Sequence, residues 1–157
     1  LEEVSQCTAI WNAKRNMILI SHRGNLSGKS KDENHPDHIE TALAHDFDVE
    51  IDVWKVNEVE WYLGHDEPQY RIDSDFLQND KLWCHAKNID ALYGMMVGGV
   101  HCFWHQNDAV TLTSKGYLWN YPNTQITNKS ICVLPELQIA DTENCAGICS
   151  DFIVRYV

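Results

Sequence analysis

The chain has 157 residues, with 12 Lys and Arg against 23 Asp and Glu and a formal net charge of -11 at pH 7. That length predicts one domain with a real core, and the acidic excess argues against nucleic acid or an anionic membrane surface as a partner. No stretch has the uninterrupted apolar length of a bilayer-spanning helix, so no integral membrane segment is expected.

The N-terminus shows no basic region followed by an apolar stretch, and no secretory signal is expected. The six cysteines, at 7, 84, 102, 132, 145 and 149, include no CxxC pair. That scatter predicts reduced, buried thiols in a cytoplasmic protein rather than a disulfide framework or a zinc site. Residues 1–16 are polar and mixed, and the first methionine is Met17. They are expected to be an N-terminal extension, a translated upstream stretch or a surface helix, ahead of a single domain over 17–157.

Residues 18–25, ILISHRGN, form a short apolar run closed by a histidine, an arginine and a glycine. Such a run predicts a strand buried on both faces, with His22 and Arg23 where it emerges into a loop. Residues 26–36 are rich in loop formers. Pro36 suits a helix's first turn, and Ile39, Ala42, Leu43 and Phe47 recur at helical spacing.

A second strand is expected at 48–54, DVEIDVW. Val49, Ile51 and Val53 point one way, and Glu50, Asp52 and Trp54 the other. At about 5 Å and an effective dielectric near 20, two such carboxylates repel by roughly 3 kcal/mol. Water on an exposed face would relieve that. A strand–helix–strand unit instead implies a parallel pair covered by helices, where the carboxylates would line a barrel interior or cleft. A divalent cation is then the natural partner, and hard oxygen ligands suggest Mg²⁺ or Ca²⁺. Residues 58–66, EVEWYLGHD, read as a hairpin return that delivers His65 beside the carboxylates.

HRG at 22–24, Glu33-Asn34, E-x-D at 50–52 and GHD at 64–66, in that order, resemble the glycerophosphodiester phosphodiesterase family. That family belongs with the phosphatidylinositol-specific phospholipase C and sphingomyelinase D enzymes, and the likeness spans residues 18–68. It implies a TIM-type (β/α) barrel with its site at the carboxyl ends of the strands. It further implies His22 and His65 as general acid and base, Glu50 and Asp52 as metal ligands, Arg23 on phosphate, and Glu33 and Asn34 ordering the site. His35 stands where the family has threonine.

Over residues 81–87, KLWCHAK, the family's E-x-K pair aligns with His85 and Lys87. Lys87 is then a second phosphate contact. His85 is either a third metal ligand, which would move the preference toward Mn²⁺ or Zn²⁺, or a packed barrel residue. Glu136, placed at the end of a strand over 130–136, is an alternative carboxylate.

A helix is expected over 88–97 with Ile89, Leu92, Tyr93 and Met96 facing the core, capped by Gly98-Gly99. Strands follow at 100–104, in two short runs over 109–121, at 130–134 and at 148–154, with His105 at a polar strand exit and Trp119 and Tyr121 either walling a pocket or packed in the core. Six or seven barrel strands in a chain below about 200 residues predict a shortened or partial barrel, helix-poor in its second half.

The expected activity is metal-dependent hydrolysis of glycerophosphodiesters or similar small phosphodiesters, with no protein partner. Two alternatives stay open. One is a phospholipase C-like or sphingomyelinase D-like enzyme acting on lipid head groups. The other is a non-catalytic barrel that binds a phosphorylated ligand or a protein.

Overall fold

The structure is a computed structural model that describes residues 17–138 and 142–157. The predicted extension over 1–16 therefore lies outside the described residues. Along the chain come β1 (Ile18–His22), α1 (Pro36–Ala44), β2 (Asp48–Lys55), β3 (Trp61–Leu63), β4 (Tyr70–Ile72), β5 (Leu82–Ala86) and α2 (Ile89–Val97). They are followed by β6 (Cys102–Trp104), β7 (Val110–Leu112), β8 (Leu118–Asn120), β9 (Ser130–Val133) and β10 (Gly147–Ser150), with short 3-10 turns at Ser74–Gln78, Pro135–Leu137 and Ile153–Tyr156.

Seven strands run parallel in the order β6-β5-β2-β1-β10-β9-β8. The β3–β4 hairpin extends β2 antiparallel, and β7 lies antiparallel on β8. The chain is thus mixed α/β and helix-poor, as expected, but the sheet does not close. No ladder joins β6 to β8. Ser114, in the turn between β7 and β8, caps the open edge instead: its N–H donates to the Cys102 carbonyl at 2.8 Å and its hydroxyl accepts from the Cys102 N–H at 2.9 Å. Inside the gap, the Phe103 and Trp119 rings lie 4.6 Å apart.

Strand alternation sorts side chains between two faces. Val49, Ile51 and Val53 of β2 pack with Cys84, Ala86 and the helix residues Ile39, Ala42, Ala91 and Met95. The concave face holds Ile20, Trp83, Phe103, Trp119, Ile131, Val133 and Cys149. Among the described residues no helix packs behind β9 and β10, where Phe47, Cys132, Ile148 and Ile153 form a small cluster.

Four expectations need correction. The stripe assigned to the core side of α2 points outward: Ile89 and Tyr93 are each 65% exposed and Met96 is 58% exposed, with only Leu92 partly packed. Ala91 and Met95 face the sheet, because a Cβ on Gly94 would come within 2.8 Å of the Trp61 ring. Small side chains let the helix approach closely, which outweighs burial of its larger residues. Second, the final strand stops at Ser150, and Ile153 enters a 3-10 turn. Third, β9 stops at Val133, so Glu136 lies in a turn. Fourth, Tyr70–Ile72 adds a strand that periodicity did not suggest. No described helix is long and apolar enough to cross a membrane.

Candidate active site

A cavity of about 410 Å³ opens at the carboxyl ends of the parallel strands, lined by His22, Arg23, Glu50, His65, His85, Lys87, Trp104, His105 and Tyr121 among others. His22 ends β1, and Arg23 follows in a left-handed conformation at φ 54°. That conformation is held by the Arg23 N–H on the Glu50 carbonyl (2.9 Å) and by the Asn34 N–H on the Arg23 carbonyl (3.1 Å). Gly64 sits at φ +149° with the Glu67 carbonyl only 2.1 Å from where a Cβ would lie, so only glycine lets the hairpin turn and present His65.

Asp52 is fully buried and is the hub of the site. Asn34 brackets it, donating from Nδ2 to Oδ2 and accepting the Asp52 N–H at Oδ1, both at 2.9 Å. Arg23 Nε lies 3.0 Å from Oδ2, His85 Nδ1 3.1 Å from Oδ1, and Lys87 Nζ and His65 Nδ1 each 3.6 Å away. Burial would raise its pKa, but His65, His85 and Arg23 overcome that and hold it well below the ordinary carboxylate range. Glu50, 2% exposed, carries the cost: burial and the Asp52 charge push its carboxyl up. Glu33, through Arg23 Nη1 (3.1 Å) and Asn25 Nδ2 (2.8 Å), fixes the guanidinium from behind. Glu33 and Asn34 thus sit where they order other groups.

The two catalytic candidates differ in setting. His22 Nδ1 lies 2.7 Å from Asp151 Oδ1. A carboxylate can only accept, so Nδ1 bears the proton and Nε2 turns toward the cavity and Glu50 (3.8 Å). Burial opposes charge on this ring, yet the Asp151 hydrogen bond and the Glu50 charge raise its pKa above the ordinary value. Asp151 is itself held by Asn25 Nδ2 at 2.8 Å, and its N–H donates to Glu136 Oε1 at 2.8 Å. His65 is 43% exposed at its side chain and meets Lys87 Nζ at Nδ1, 3.2 Å away.

Sequence reasoning missed Asp151. Its signal was its position: like His22, it is a polar residue just past the carboxyl end of an apolar strand run. Glu136 does not reach the cluster as a ligand. Its carboxylate accepts from the Ser150 hydroxyl (3.1 Å) and the Asp151 N–H. Trp119 is 2% exposed and packs in the core at the cavity floor, while Tyr121 is half-buried and stacks on His105 at 4.4 Å. His35 caps α1 by accepting the Asp37 N–H at 3.2 Å.

Glu50, Asp52 and His85 each offer a ligand atom within 4.8 Å of the other two, the only such group among the described residues. His85 Nε2 lies 2.9 Å from the His105 carbonyl, which only accepts, so Nε2 bears a proton. Nδ1 then faces two carboxylates, at 3.1 and 3.8 Å. A neutral ring would set a lone pair against oxygens, and Glu50 Oε2 and Asp52 Oδ1 already lack hydrogen-bond partners. The donor set and the orphaned oxygens fit a divalent cation. No protein-family model, curated protein or solved structure matches the chain.

Proposed function

We propose that the chain is a metal-dependent phosphodiesterase acting on glycerophosphodiesters or similar small phosphodiesters, built on a short, open relative of the TIM-type barrel. One observation carries the reading. An imidazole held by a carboxylate, a second imidazole, two cations, Glu50 and His85 line one cavity, and the buried Asp52 completes a Glu–Asp–His triad with the last two.

Arg23 and Lys87 attract the anionic diester and offset charge on its phosphoryl oxygens. His22, with Nδ1–H tied to Asp151 and Nε2 toward the cavity, is placed to take the proton of the attacking hydroxyl, from water or from the substrate's own neighbouring alcohol. His65, more exposed and contacted at Nδ1 by Lys87, keeps Nε2 for the leaving oxygen, to which it delivers a proton. Glu50, Asp52 and His85 would hold the cation, Mg²⁺ or Ca²⁺ by the two carboxylates and Mn²⁺ or Zn²⁺ if the imidazole ligates. Bound there, such an ion supplies Lewis-acid stabilisation of the phosphoryl oxygens.

The test is hydrolysis of bis(p-nitrophenyl) phosphate and glycerophosphocholine, with and without chelator, across the four ions. His22→Ala and Asp52→Ala should each lower the rate by about 100-fold or more. Activity surviving both substitutions ends the proposal, and tight binding of a phosphomonoester without turnover would make this a binding module.

A further inference from the structure

All five described cysteines are thiols, but they are not equivalent. Cys84 and Cys102 are partners in the register of β5 and β6, both buried, with burial pushing both thiols up. Cys149 is fully buried and pushed well up by burial. Such thiols are poor nucleophiles.

Cys132 and Cys145 differ. Cys132 lies on β9 and packs with Phe47, Ile148 and Ile153 on the outer side of the sheet, and Cys145, half-buried just before β10, packs on the same cluster. The Cys145 thiol donates to the Thr142 carbonyl at 3.2 Å and shares a hydrogen bond with the Cys132 thiol. That bond outweighs burial and, with the Gly147 N–H, lowers the Cys145 pKa below the ordinary thiol value. An accessible, acidified thiol beside a buried second thiol is the arrangement of an attacking and a resolving sulfur.

We propose that Cys132 and Cys145 form a redox-active dithiol that a hydroperoxide converts to an intramolecular disulfide, and that this bond tethers the segment holding Asp151. The Cys145 thiolate attacks the terminal peroxide oxygen. The O–O bond breaks and leaves a sulfenic acid on Cys145 and one alcohol or water. Cys132 sulfur then attacks Cys145 Sγ, the S–O bond breaks, and water departs. Two thiols and one hydroperoxide thus give one disulfide, one alcohol (water, for hydrogen peroxide) and one water.

The bond would close a loop of about 14 residues. That loop includes Glu136, whose carboxylate takes the Asp151 N–H at 2.8 Å, while Asp151 takes His22 at 2.7 Å. The dithiol lies behind the sheet and its chemistry does not depend on the activity proposed for the cavity.

The test treats the full chain with hydrogen peroxide, alkylates the remaining thiols in denaturant, and maps unreduced peptides by mass spectrometry. A 132–145 linkage, reversed by dithiothreitol and lost in Cys145→Ser, is expected. The oxidised protein should melt about 5 °C higher, and the amide proton of Asp151 should exchange several-fold more slowly. Linkage of Cys145 to Cys149, to Cys7 or to a second chain would overturn the assignment, as would a sulfinic acid at Cys145 with Cys132 still alkylated. A 132–145 bond with unchanged exchange at Asp151 would overturn the tether.

Discussion

Histidines lie at both ends of the parallel strands, in opposite settings. At the carboxyl end, His22 is 7% exposed and bonded to Asp151 at 2.7 Å. At the amino end of β6, His101 is 5% exposed, 2.9 Å from the Thr113 hydroxyl and 4.2 Å from the Trp83 ring. Burial disfavours charge on both rings. With aromatic rings and a hydroxyl for neighbours, and Lys115 nearby, burial pulls His101 down to about 4. A carboxylate at hydrogen-bond distance reverses the outcome at His22. Depth alone therefore does not decide what a histidine does here. What differs is the group in contact: the His22 ring meets the carboxylates of Asp151 and Glu50, whereas the His101 ring meets an indole, a phenol and a hydroxyl.

Removing the hub of the carboxyl-end cluster has the largest expected effect. Asp52→Ala leaves Arg23, His85 and Lys87 without their shared carboxylate, and chemical denaturation should show a loss of about 3–5 kcal/mol. Asp52→Asn keeps the Asn34 contacts and should lose less.

Next, Asp151→Asn gives His22 the neighbourhood of His101. Nuclear magnetic resonance should find the His22 titration moved downward. Phosphodiesterase activity should fall by about 100-fold, with the acidic limb of its pH profile, where His22 must lose its proton to act as base, shifted the same way. An unmoved titration would mean that Glu50, not Asp151, sets this ring.

Changing the amino end sharpens the contrast from the other side. Between pH of about 6.5 and about 4 the unfolded chain takes up a proton that folded His101 refuses, so stability falls as pH drops through that window. Urea titrations should show the difference between wild type and His101→Gln changing by about 2–3 kcal/mol across it.

The smallest effect concerns Glu50. With chelator present, Glu50→Gln should raise stability by about 1 kcal/mol by removing one of two repelling buried charges. Adding a divalent cation should then raise the melting temperature of wild type and not of the variant. A cation response retained by Glu50→Gln would remove this residue from the proposed triad.

Much of the first half was legible because its cues are local. Period-two alternation in β2 put Glu50 and Asp52 on one face, and the ends of the apolar runs located His22 and His65. The face of α2 was misjudged because apolar spacing records which residues could pack and says nothing of how closely the helix approaches. That distance depends on Gly94 meeting Trp61. Asp151 carried a local cue in its place after an apolar run, but its pairing with His22, 129 positions away, is marked by no local pattern.

The order of residues by itself determined the α/β alternation, the acidic couple on β2, and which side chains stand where strands emerge into loops, since each follows from backbone geometry over a few residues. Packing of the folded chain sets the rest: Asp151 orients His22, Glu136 supports Asp151 from behind, the sheet stays open between β6 and β8, and Cys132 meets Cys145. Those contacts join segments far apart in the chain. They depend on how strands are ordered around the cavity, which is set by packing of the whole domain.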